Sequence, residues 1–331
     1  MKKVLLSLFF FIGMSLFANE VTVSILPQKY FVEKIAKDKV EVNVMVKAGF
    51  SPATYEPKTS QMRKLAKSKA YFSIGVPFEK VWLEKFEDAN KNMLVVDTTH
   101  GIKKLEMQAH EHHDEEKHEE HKEEKHHDHD EHKHEKHDEH KHEEHAHHDH
   151  DEHKHEKHDD HDEHEGHDHS GLDPHVWLDP MLVKVQAKNI YEALAKIDSK
   201  NKDFYLANYK DFVKELESLN KKLESIIEPY EHKAFMVFHP SWGYFAKRYH
   251  LEQISIEIQG KEPKPAQLVE LVDEAKKHDI KIVFVAPQFS QKGAKVISNS
   301  IKGYTATIDP LSYEWDKNLL KVANEIAKSY K

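Results

Sequence analysis

Apolar residues along the chain follow two periods in alternation. "VTVSIL" at 21–26 and "VEVNVMV" at 40–46 alternate or run apolar as strands do, and the intervening "QKYFVEKIAKD" has helical spacing. "PKTSQMRKLAKSK" (57–69) predicts a helix with Pro57 near its start, and "AYFSIG" (70–75) a strand. "PFEKVWLEKFED" (77–88) reads as a helix and "MLVVDTT" (93–99) as a strand. The same rhythm resumes past residue 230. "AFMVF", "LEQISIEI", "KIVFVA" and "YTATI" are strand-like, "SWGYFAKRY" and "PAQLVELVDEAKKH" helical, with further helices near 293–301 and up to Tyr330. Strands alternating with helices predict parallel sheets.

Two helices separate the halves. Asp179-Pro180 has the form of an N-cap followed by Pro at the first helical position, opening "MLVKVQAKNIYEALAKID". The next helix is expected over roughly 201–228 and to end at Pro229. Tyr205, Tyr209, Phe212, Leu216, Leu219, Leu223 and Ile226 step by three and four along it, one apolar face about 40 Å long at 1.5 Å per residue. The expected fold is α/β: two Rossmann-like lobes, residues 19–178 and 231–331, joined through 179–230 by a long rigid helix. At 331 residues the chain is long enough for each lobe to have its own core.

Residues 110–169 break the pattern. Of these 60 residues 24 are His, and no apolar period exists, so burial cannot offset the entropy of ordering and a disordered loop is expected. The segment holds 26 acidic against 8 basic residues, which leaves 41 basic against 33 acidic elsewhere; the overall charge of −10 is therefore the property of one loop. No basic stripe with interleaved aromatics exists, which argues against nucleic acid as a partner. The absence of cysteine excludes disulfides, thiolate metal sites, Cys nucleophiles and a lipidated-cysteine anchor. Residues 1–18 read as a signal peptide, with Lys2 and Lys3 before the apolar run Val4–Phe17. No later stretch is apolar enough to span a bilayer, so an exported, periplasmic protein is expected, acting as a monomer.

Three side chains stand where α/β proteins bind ligands. His239 directly follows "FMVF" and Asp309 directly follows "TATI", both at carboxyl ends of expected strands. His175 sits between Pro174 and Pro180, just before a helix start. Taken singly, each has an ordinary structural reading, a capped histidine or an Asp-Pro turn.

In order along the chain, "DPHVWLDP", "FMVFHPSWGYFAKRY", "ISIEIQGKEPKPAQLVELVDEAKKHDIKIVFVAPQFS" and "IDPLS" resemble the signature segments of ZnuA-type zinc-binding proteins of ABC transporters, the cluster A-I metal receptors. The resemblance covers nearly all of the mature chain, including "AGFSPATYEPKTSQMRKLAKSKAYFSIG" and a His-rich insertion before the Asp-Pro-His frame. It implies two α/β lobes joined by a long helix, with Zn²⁺ held between them by His175, His239 and Asp309. It also implies delivery of the ion to an inner-membrane ABC permease driven by a cytoplasmic ATPase. A His at 239, where manganese-preferring relatives tend to have Glu, leans towards zinc. One position departs: Ala53 in Ser51-Pro52-Ala53-Thr54-Tyr55-Glu56-Pro57 replaces the family's usual histidine and cannot bind a metal. A water or a loop histidine then completes the four ligands zinc favours, with Tyr55 and Glu56 as less favoured donors.

The histidine-rich loop is expected to gather ions weakly beside a site that holds one firmly. A coil of this length spans about 45 Å on the 5–6 Å × √n scale, enough to offer ions at high local concentration. Imidazole protonates near pH ~6.5, so collection should fade below about pH 6. Two rival functions share these residues. An open His-His-Asp site could activate water as a zinc-dependent hydrolase, although no His-Glu-x-x-His helix occurs. A zinc store or adhesin without transport is the other.

Overall fold

A computed structural model describes residues 19–107, 171–258 and 260–331. The expected signal peptide (1–18) and the histidine-rich segment (110–169) lie outside the described residues. The first half runs β1 (Asn19–Val23), α1 (Leu26–Ala36), β2 (Val40–Val44), α2 (Thr59–Leu65), β3 (Ala70–Ser73), α3 (Pro77–Ala89) and β4 (Leu94–Asp97). All its strands are parallel, in the order β2-β1-β3-β4. After α4 (Pro180–Ile197) and α5 (Lys202–Ile227) come β5 (Ala234–Val237), α6 (Gly243–Arg248), β6 (Glu252–Ser255) and α7 (Pro265–Lys277). The chain ends with β7 (Ile282–Val285), α8 (Lys292–Ser300), β8 (Tyr304–Thr307) and α9 (Trp315–Ser329). This second sheet is again all parallel, in the order β6-β5-β7-β8. One topology is therefore built twice, and every helix and strand expected from the sequence is present.

Central strands such as "AFMV" and "IVFV" are continuous apolar runs because both their faces are covered. The edge strands β4 and β8 are more exposed and less apolar. Asp179 caps α4 as expected, its Oδ1 accepting from the amides of Met181 (2.7 Å) and Leu182 (3.4 Å). The 26-residue α5 buries Tyr205, Phe212, Leu216, Leu219, Leu223 and Ile227, with Ile227 taking the place at the core that the spacing assigned to Ile226.

The structure departs from the expectation of one core per lobe. A single apolar cluster runs from Val21, Phe31 and Phe72 through Ile190 and Phe212 to Trp315 and Leu319, and on to Phe235, Val237, Ile282 and Phe284 of the second sheet. The other face of that sheet, Ala234, Met236, Val283 and Val285, packs separately under α7 and α8. Strand alternation sends one face each way. The shared core exists because α9 folds back onto α5, which also packs against α1 and α4. Phe31 of α1 lies with its ring centroid 6.1 Å from that of Phe212 of α5 and 5.1 Å from that of Trp315 of α9. No helix among the described residues is long and apolar enough to cross a membrane.

Candidate metal centre

His175 is held by its own neighbours. Its backbone amide donates to Asp173 Oδ1 (2.8 Å), and its ring Nδ1 pairs with the same oxygen at 2.7 Å. Asp173 is 2 % exposed, so this carboxylate is tied to the imidazole rather than to water. The segment is anchored on both sides. Tyr244 OH accepts from the Leu105 amide (2.8 Å) and donates to the Asp173 carbonyl (2.9 Å). A Cβ on Gly243 would lie 3.2 Å from Asp173 Oδ2, so glycine there lets α6 approach closely. Upstream, Glu106 and Leu172 form an antiparallel bridge, and the Met107 amide donates to the Gly171 carbonyl (3.0 Å). Residues 106–107 and 171–172 thus form a closed stem that ends three residues before His175.

His239 follows β5, and β5 and β7 are the neighbours at which the strand order reverses, the place where open α/β sheets form a crevice. Its Nδ1 pairs with Glu257 Oε1 at 2.7 Å, and its ring stacks on Phe289 with centroids 4.7 Å apart. Glu257 is 5 % exposed. The rings of His175 and His239 lie 5.4 Å apart, edge to face. In both, Nδ1 is the nitrogen a buried carboxylate takes, so a cation would be met through Nε2, in the carboxylate–histidine arrangement that orients metal ligands.

Asp309 is fastened to the same locality by its backbone. Trp177 Nε1 donates to the Pro310 carbonyl (2.7 Å), Trp315 Nε1 to the Trp177 carbonyl (2.7 Å), and Asn318 Nδ2 to the Asp309 carbonyl (2.8 Å). Its carboxylate Oδ1 accepts from Gln288 Nε2 (2.8 Å) and the Leu311 amide (3.0 Å). The structure brings His175 and His239 side by side but does not gather all three: among the described residues no three His, Asp or Glu side chains stand close enough to share one ion. Of the weaker fourth donors, Tyr55 is turned into the first lobe, its hydroxyl donating to Gln61 (2.8 Å), and Glu56 faces solvent.

The motif reading passed over the residues that orient the ligands: Asp173, Glu257 and Gln288. A signal for two of them exists in the sequence. Asp173 and Glu257 are carboxylates set within apolar runs, "LDPHVW" and "SIEI", where burial demands a partner.

At the matching edge of the first sheet the polar groups are directed inward. Glu79, 5 % exposed, accepts from Ser24 Oγ and from the amides of Ile74 (3.0 Å) and Gly75 (2.7 Å). Burial pushes its carboxyl up to about 6, against the lowering effect of those bonds and of Lys104. A carboxyl raised on folding stabilises the fold in its protonated form, fully below the ordinary value of 4.5 and decreasingly as pH rises through about 6. Relative to Glu79→Gln, the wild type is expected to lose about 2 kcal/mol of unfolding free energy between pH ~4.5 and ~7.5. Parallel urea titrations of the two proteins check this, and a pH-independent difference between them would count against it.

Residues 21–330 match the family described as zinc-uptake complex component A, periplasmic (ZnuA). Among curated proteins, the high-affinity zinc uptake system protein ZnuA of Bacillus subtilis (strain 168) is 34% identical over 154 residues, 45% of this chain and 48% of that protein. The chain thus spans about half the length of the curated relatives it matches. A crystal structure of ZnuA is 37% identical, superposes with a TM-score of 0.75, and covers 95% of this chain and 100% of that one. A ZnuA deletion mutant with zinc bound is likewise 37% identical, with a TM-score of 0.73 over 94% of this chain and 98% of that one.

Proposed function

The chain belongs to the ZnuA family of periplasmic zinc-uptake complex components, and from that premise we propose that it captures Zn²⁺ between its lobes and delivers it to an ABC permease for high-affinity uptake. The observation that carries this reading is the pair His175 and His239, rings 5.4 Å apart, each oriented through Nδ1 by a buried carboxylate. Asp309 is the third ligand, completing the set as the loops after β7 and β8 settle around the ion. Nitrogen-rich coordination suits zinc, copper and nickel better than manganese. Reversible binding follows from a cleft whose ligands come from separate loops, and the family is one of receptors, so hydrolysis has no place in it. The working location is the periplasm, with residues 1–18 removed on export. The partners are the inner-membrane permease and its cytoplasmic ATPase, met by a monomeric receptor.

The test is growth. A strain lacking its own periplasmic zinc receptor but retaining a compatible permease and ATPase should grow under zinc chelation when supplied with this protein. It should fail with His175→Ala/His239→Ala. No rescue by the unaltered protein would favour a zinc store or adhesin without transport, and equal rescue by both proteins would mean that uptake does not depend on the paired imidazoles.

A further inference from the structure

We propose that Gln288 is a positioning residue of the ion site: its amide nitrogen restricts Asp309 to binding through Oδ2 alone, and its carbonyl oxygen accepts a hydrogen bond from a water that completes the ion's coordination. This rests on the proposed His175–His239–Asp309 site and adds to it the nature of the fourth ligand.

Gln288 lies three residues past β7, and Asp309 two past β8, its hydrogen-bonded neighbour. The loops after adjacent parallel strands are adjacent, which places the amide and the carboxylate together. Asp309 Oδ1 already accepts from both Gln288 Nε2 (2.8 Å) and the Leu311 amide (3.0 Å). An oxygen with two donors has both lone-pair directions taken, so Oδ2 is the oxygen left to face a cation. The next residue, Phe289, stacks on the His239 ring at 4.7 Å. One dipeptide after β7 therefore positions two of the three ligands, His239 through a ring face and Asp309 through an amide.

The other end of the Gln288 amide carries the second half of the inference. Its Oε1 is buried and meets no hydrogen-bond donor among the described residues. A buried acceptor without a donor is costly and uncommon, and calls for an explanation at the place where it occurs. Here it lies beside a proposed ligand, in a site whose family histidine is replaced by Ala53. A cation with three protein ligands takes a water in the fourth position. A bound water presents two O–H donors, and a carbonyl oxygen in the ligand shell is the partner one of them needs. A loop histidine in that position would have only the ring N–H opposite its bound nitrogen to offer, which points away from the ion and its ligand shell.

The experiment uses the full chain. Tight-site signals are isolated as differences from His175→Ala, which carries the same loop. Gln288→Leu keeps the side chain's bulk but removes both polar atoms. Its affinity for Zn²⁺, by competition with a chromophoric chelator, should fall by about 10–100-fold, the usual cost of losing a residue that orients a ligand, with the thermal unfolding temperature little changed. Wild-type affinity in Gln288→Leu would overturn the proposal. The second measurement needs no variant at the position: with one equivalent of Co²⁺, the electron paramagnetic resonance lines of the wild type should broaden in ¹⁷O-enriched water. Lines unaffected by the isotope would mean that no water is bound and would overturn the fourth-ligand assignment. If His175→Ala itself keeps the tight site, the underlying three-ligand reading fails, a result distinct from either of these.

Discussion

His175→Ala and His239→Ala are each expected to lower affinity for the first equivalent of Zn²⁺ by at least about 100-fold, leaving the weaker, multiple binding of the histidine-rich segment in place. A ligand's removal should exceed the roughly 10–100-fold typical of residues that only orient ligands, and Asp173→Asn supplies that comparison within the same protein. Asp173 Oδ1 bonds both the amide and the ring of His175, so Asp173→Asn should weaken binding without abolishing it. The measurement is competitive titration against a chelator of known affinity, with circular dichroism to verify folding. The arrangement predicts an order, with His175→Ala and His239→Ala more damaging than Asp173→Asn. If all three retain wild-type affinity, the tight ion is held elsewhere, and the paired imidazoles are a structural contact.

The second large effect concerns the core shared by the two lobes. Trp315 is 1 % exposed, meets Phe31 edge to face at 5.1 Å, and donates its indole N–H to the Trp177 carbonyl at 2.7 Å. Truncation to alanine removes a buried ring and leaves a buried carbonyl without its donor. Large-to-small changes of this kind cost about 3–5 kcal/mol, so Trp315→Ala should unfold correspondingly earlier in urea. Trp315→Phe retains most of the packing and should lose mainly the hydrogen bond, about 1–2 kcal/mol. The two lobes should unfold together in the wild type, because the apolar cluster is continuous from Val21 to Phe284. Two separated transitions, or a loss below about 1 kcal/mol in Trp315→Ala, would contradict a shared core.

Trp177 joins these two predictions. Its carbonyl receives Trp315 and its own indole N–H reaches Pro310, the neighbour of Asp309. Asp179, four residues past His175, accepts at Oδ2 from both Nε (2.9 Å) and Nη2 (2.8 Å) of Arg248 of the second lobe, charge-assisted bonds made while its Oδ1 caps α4. The segment carrying His175 is thus tied to both halves of the chain, so disturbing the core is expected to reach the ion.

Local order was legible in the residues because it is set by neighbours in sequence. Alternating apolar positions in "VTVSIL", the three-and-four stepping from Tyr205 to Leu223, and Asp179 ahead of Pro180 each specify an element through short-range sterics and hydrogen bonding. Placing His239 and Asp309 at the carboxyl ends of strands required only the order of elements. Long-range contact was not legible. That α9 would fold back on α5 and merge the cores depends on which apolar faces meet, and each face alone is compatible with several partners. The pairing of His175 with Asp173 and of His239 with Glu257, and the Gln288 bond to Asp309, depend on side-chain directions across loops, to which hydrophobic periodicity is blind. The amino-acid sequence by itself determined the elements, their parallel repetition and the residue types available to a cation. The tertiary structure alone decided which of those residues face each other and which carboxylates hold them, because proximity between distant segments is created only when the core closes.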